Sequence, residues 1–104
     1  MIIEMRTYTL KAGSASAYLK LYEEKALEVH RRTLGNLIGY FSTEVGNINQ
    51  VVHLWGYDSF EDRQRRRAEL AKNETWQEFL QLAFPYFINQ ETKLLNGTSF
   101  SPIR

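Results

Sequence analysis

The segment Gln50 to Tyr57, QVVHLWGY, constrains the fold most, because it reads as a β-strand in which neither face is polar. Successive side chains of a strand point to opposite faces. Val52 and Leu54 therefore point one way, and Val51, His53, Trp55 and Tyr57 the other. A strand of this kind belongs in a sheet that is covered on both sides. The flanking sequence supplies partners. Ile2 to Leu10 alternates in a strand-like way and is rich in β-branched and aromatic residues. Leu37 to Val45 reads as a further strand, joined to Gln50–Tyr57 through the turn residues Gly46-Asn47-Ile48-Asn49 as a hairpin. Gln90 to Phe100 is weaker and more polar, suited to a sheet edge.

Helical signals separate these strands. Gly13-Ser14 marks a break, with Ser14 available as an N-cap. Apolar positions then fall at Ala15, Leu19, Tyr22, Ala26 and Val29, the spacing of a helical stripe. Arg31 and Arg32 suit the carboxyl end of that helix, and Gly35 is its expected stop. Ser59-Phe60-Glu61-Asp62 has the form of a capping box, and helix-forming residues continue to Lys72. Asn73 restarts a second helical piece carrying Trp76, Leu80, Ala83 and Phe87, interrupted near Pro85. Strand, helix, strand, twice over, predicts a single domain across residues 1–104. Its class is α+β: a ferredoxin-like βαββαβ fold whose four-stranded antiparallel sheet carries both helical segments on one face.

Composition narrows the function. The chain has 104 residues, 43% hydrophobic and 24% charged, which excludes a disordered tail or a fibre. Apolar runs are far shorter than the roughly 20 residues that span a bilayer, so no membrane insertion is expected. Glu4 and Arg6 interrupt any secretory signal, and with no cysteine there is no thiol chemistry. Thirteen basic against twelve acidic residues leave a net charge of +1, which gives no attraction to nucleic acid. The expectation is a cytoplasmic protein. The run Glu61 to Arg67 is read as a solvated helix face, with Glu61–Arg65 and Asp62–Arg66 as i,i+4 pairs. Arg63 and Arg67 share a side from which they can reach a cavity rim or a partner.

With the hairpin centred on Asn47-Ile48, Phe41 lies opposite Leu54 and Tyr40 opposite Trp55. Ile3, Met5, Phe41, Val52 and Leu54 are then assigned to the helix-covered core. The other face carries Arg6, Tyr8, Tyr40, His53, Trp55 and Tyr57, together with Glu4. That face is too aromatic for water and too polar for a dry core. A homodimer resolves the conflict, its two sheets facing each other across a shared cavity lined by these six side chains. Such a cavity suits a small aromatic or hydrophobic ligand. A one-residue slip of register would exchange the two faces.

Three segments resemble the NIPSNAP family: Glu4-Met5-Arg6-Thr7-Tyr8, Leu34-Gly35-Asn36-Leu37-Ile38-Gly39-Tyr40-Phe41 and Asn49-Gln50-Val51-Val52-His53-Leu54-Trp55-Gly56-Tyr57. Ser59, Arg63, Arg67, Trp76, Gln90-Glu91 and Ser99-Phe100-Ser101-Pro102 fit as well, so the resemblance covers nearly the whole chain. It implies a dimeric α+β barrel in a superfamily that includes antibiotic-biosynthesis monooxygenases, muconolactone isomerases and haem-binding members. NIPSNAP proteins themselves have no settled reaction. Eukaryotic members are associated with mitochondria and vesicle traffic, a location not expected here because no transit-like leader opens the chain.

His30 and His53 are the only histidines, and no HxxxH, HxH or Asp-rich spacing accompanies them. No metal site and no cofactor are therefore expected. Haem is the weaker alternative, because it needs a well-placed proximal histidine. His53 reads either as a structural hydrogen bonder or as a neutral imidazole that takes a proton from a phenol-like substrate. Arg6 reads either as a structural partner of Glu4 or as the grip for a ligand carboxylate or enolate. His53, Tyr8 and Arg6 are the catalytic candidates. Three classes of function stay open: a ligand-binding barrel, a cofactor-independent monooxygenase or isomerase, and a protein-interaction scaffold. No phosphate loop or nucleophile triad supports a kinase or hydrolase.

Overall fold

A computed structural model describes residues 1–104. In chain order its elements are β1 (Ile2–Leu10), α1 (Ala15–Lys25), α2 (Leu27–Leu34), β2 (Asn36–Ser42), β3 (Gln50–Tyr57), α3 (Phe60–Lys72), α4 (Glu74–Ala83), a short 3-10 turn (Phe84–Tyr86) and β4 (Phe87–Asn96). The sheet is antiparallel throughout with order β2-β3-β1-β4, the ferredoxin-like topology. No helix is long and apolar enough to cross a membrane.

Local chemistry sets several boundaries. Ser59 accepts a hydrogen bond from the Asp62 amide at 3.0 Å, and Asn73 does the same for Trp76, so α3 and α4 each begin on a side-chain cap. Gly35 ends α2 with φ at 92°, a left-handed conformation that side chains rarely adopt. Other boundaries differ from expectation. The first helical stripe is divided at Ala26, a break that no glycine or proline marks. Ser14 does not cap α1; its hydroxyl donates to the Lys11 carbonyl at 2.6 Å. In α4 the buried residues are Trp76, Phe79 and Ala83, while Leu80 is exposed and Phe87 already belongs to β4. Asp62 pairs with both Arg65 and Arg66, and Glu61–Arg65 is not formed.

The register differs by two residues from the expected one. Tyr40 lies opposite His53 and Phe41 opposite Val52, with an irregularity between Leu37 and Gly39. A two-residue shift keeps the same side chains on a shared face. What changes is which face the helices cover. Tyr8 meets Tyr18 edge-on with ring centroids 6.5 Å apart, Tyr40 packs on Tyr22 at 4.7 Å, and Trp55 packs on His30 at 4.3 Å. The core is therefore built on Tyr8, Leu10, Val51, Trp55 and Tyr57 against rings from α1, α2 and α4. Ile3, Met5, Phe41, Val52 and Leu54, expected under the helices, form the opposite face, where Phe41 is 52% exposed. The physical reason lies on the helices. Tyr18, Tyr22, His30, Trp76 and Phe79 present large rings that pack edge-on or tilted against rings, and α3 supplies cations for the one acid on that face.

Candidate functional site

Even-numbered positions of β1 and odd-numbered positions of β3 bring Glu4, Arg6, Tyr8, His53, Trp55 and Tyr57 together beneath the helices. Glu4 is 0% exposed and is compensated from several sides. Arg63 Nε donates to Glu4 Oε2 at 2.7 Å, and the Tyr57 hydroxyl donates to Oε1 at 3.2 Å. Arg6 and Arg67 stand further off, at 3.6 and 3.7 Å. Arg6 Nε also donates to the Tyr8 hydroxyl at 3.0 Å. Burial works against the Arg6 charge, but Tyr8 and Glu4 more than offset it, so its pKa lies above the usual arginine value.

His53 is the unusual member. Trp55 Nε1, which can only donate, lies 2.7 Å from His53 Nδ1, so Nδ1 accepts. Burial, aided by the nearby Arg6 and Arg67 charges, holds the His53 pKa down at about 3. In that neutral ring the proton sits on Nε2, which is buried with no hydrogen-bond partner. A buried donor left unpaired costs on the order of 1–3 kcal/mol. His30 is likewise neutral, its pKa lowered to about 2 by burial and then by His53 and the arginines, with Nδ1 2.7 Å from the Tyr22 hydroxyl. Burial also pushes the Tyr18, Tyr22, Tyr40 and Tyr57 phenols up, so all four stay protonated.

A groove adjoins this cluster through Tyr40. It lies between α1–α2 and β2, has a volume of about 410 Å³, and is floored by Leu19, Tyr22, Leu27, Leu37 and Tyr40. Lys20 and Arg31 stand at its rim with Glu23. The Tyr40 ring is the wall between groove and histidine: it stacks on His53 at 4.4 Å and 8°, and its hydroxyl lies 3.4 Å from that of Tyr18.

The fold has known counterparts. Residues 3–102 match the family model described as NIPSNAP. The chain belongs to the NIPSNAP family. A NIPSNAP family protein from Agrobacterium tumefaciens has 42% identity and a TM-score of 0.96, with 99% of this chain and 98% of that one covered. An uncharacterised NIPSNAP-like domain protein from Burkholderia xenovorans has 43% identity and a TM-score of 0.93, covering 97% and 88%. Human Protein NipSnap homolog 3A is 42% identical over 77 residues, 72% of this chain but 30% of the human protein. This NIPSNAP chain thus spans about a third of the length of such curated relatives. An antibiotic biosynthesis monooxygenase shares the fold at 12% identity, with a TM-score of 0.67 and 94% and 99% coverage.

The six side chains expected to line an inter-sheet cavity do converge in this NIPSNAP domain, but they do so within a single chain. Arg6, Tyr8, Tyr40, His53, Trp55 and Tyr57 all lie on the helix side of the sheet, so none of them faces a cavity between sheets. The structural pairing of Arg6 with Glu4 is present, and Arg63 and Arg67 turn to the same acid. Tyr22 was legible as part of the first helical stripe, whereas His30, one turn beyond the unmarked break, was not legible as a core residue.

Proposed function

We propose that this NIPSNAP domain is a homodimeric small-molecule-binding protein, and that its ligand is a small aromatic or hydrophobic compound. The observation that carries the reading is the groove floored by Tyr22 and Tyr40, with the Tyr40 ring stacked on the buried His53. The volume is in the range of small-molecule sites, and flat rings on its floor favour stacking. Lys20 and Arg31 favour an anionic substituent at the mouth. Dimerisation is supported by the uncovered sheet face, where Met5, Phe41, Val52 and Leu54 lie side by side. Native mass spectrometry of freshly purified protein tests the binding. A retained small molecule, lost in Leu27→Arg, is the expected result; wild-type protein that carries none and takes up no aromatic carboxylate contradicts it.

A second reading is a cofactor-independent monooxygenase or isomerase, favoured by the shared fold of the antibiotic biosynthesis monooxygenase. In that case His53 acts by donating from Nε2 to a developing substrate oxyanion. An imidazole whose pKa lies near 3 is a poor proton acceptor at neutral pH. Oxygen consumption with a bound substrate, abolished in His53→Ala, separates turnover from binding.

A further inference from the structure

We infer that the arginines gathered around Glu4 form a seat for a small divalent oxyanion of the phosphate type, at the junction of β1, α3 and β4. Three guanidinium groups converge on a single carboxylate, and none of the three has another acid within ion-pair distance. Of the three arginines only Arg63 is hydrogen-bonded to Glu4, whose other oxygen accepts from the Tyr57 hydroxyl. Arg6 Nη1 faces Oε2 at 3.6 Å and Arg67 Nη1 faces Oε1 at 3.7 Å, both outside hydrogen-bonding reach. Glu4 thus neutralises one cation and leaves two in excess, in a partly desolvated place where unbalanced charge is costly. A dianion balances that excess, and guanidinium forks match its oxygens.

The seat has an open side. Arg67 is 28% exposed, and the helices leave β4 uncovered. Thr92 and Leu94 of β4 pair with Arg6 and Glu4 and are both exposed. The Thr92 hydroxyl accepts from Arg6 Nη1 at 3.1 Å, which leaves its own hydrogen for an anion. Arg65 and Arg66, on the same helix, turn instead to Asp62. The seat lies on the β4 side of the sheet, away from the Tyr40 groove, and stands whether or not that groove binds a ligand.

Titration calorimetry with inorganic phosphate, at constant ionic strength held by sodium chloride, tests the seat. Saturable binding is expected in the wild type and at least tenfold weaker binding in Arg67→Met. Arg65→Met removes the same charge from the exposed side of α3 and should bind as the wild type does. Arginine Nε–H resonances of the wild-type protein give a readout that requires no variant: phosphate should move those of Arg6 and Arg67. Absence of saturable binding overturns the inference, as does equal weakening in both variants. Acetate binding as well as phosphate, or movement confined to exposed arginines, overturns it too.

Discussion

Two neutral imidazoles beneath the helices make folding sensitive to acid. A histidine in the unfolded chain titrates near 6.5, whereas His53 and His30 titrate at about 3 and about 2 in the folded protein. Below about pH 6.5 the unfolded chain binds protons that the folded chain refuses. Their stabilisation is therefore complete above that pH and is lost as pH falls toward 3, by up to about 1.4 kcal/mol per pH unit for each ring. Proton NMR of the ring hydrogens checks this directly: neither imidazole should titrate between pH 7.5 and 5. Glu4 holds the same region together by charge pairing. Glu4→Gln leaves three arginines without their carboxylate and should lower stability by about 3 kcal/mol or more, read from the urea midpoint. Part of this cluster was legible in sequence, because Arg63 and Arg67 share a helix face and Glu4 and Arg6 share a strand face. That Arg63 and Arg67 turn to Glu4 was not, since β1 and α3 meet only through tertiary packing.

Elements were legible where caps and turns carry them. Gln50–Tyr57 is a strand at the expected ends, and Ser59 and Asn73 begin helices as expected. Ser59→Ala should cost about 1 kcal/mol, visible as a lowered urea midpoint, because it orphans the Asp62 amide. Ser14→Ala provides the contrast. Its side chain makes no cap, so the effect should be smaller. The assignment of strand faces failed for a physical reason. Both faces of β3 are apolar, so alternation alone could not say which one the helices cover. Polarity pointed the wrong way, because Glu4, Arg6 and His53 looked too costly to bury beneath helices. That cost is met by Arg63, Tyr57 and Trp55, which hydrogen-bond to Glu4 and His53. The cues on the helices were the rings of Tyr18, Tyr22 and Trp76, which match the aromatic face of the sheet better than the aliphatic one.

At the scale of the molecule, the sheet divides its work between two sides. The helix side closes over a polar, aromatic cluster with a groove at one edge. The other side carries Met5, Phe41, Val52 and Leu54 with no helix above them. A contiguous apolar strip of this kind marks an association surface. Its two-fold use by identical chains is the simplest closed assembly. Leu54→Glu places a charge in the middle of that strip without touching the core. In the proposed homodimer it should raise the dissociation constant by about 30-fold or more, equivalent to about 2 kcal/mol, while far-ultraviolet circular dichroism stays unchanged. The most direct measurement is the solution mass of the wild-type protein by light scattering after gel filtration at micromolar concentration. Twice the mass of one chain is the predicted value; a stable species of 12.2 kDa would contradict the account.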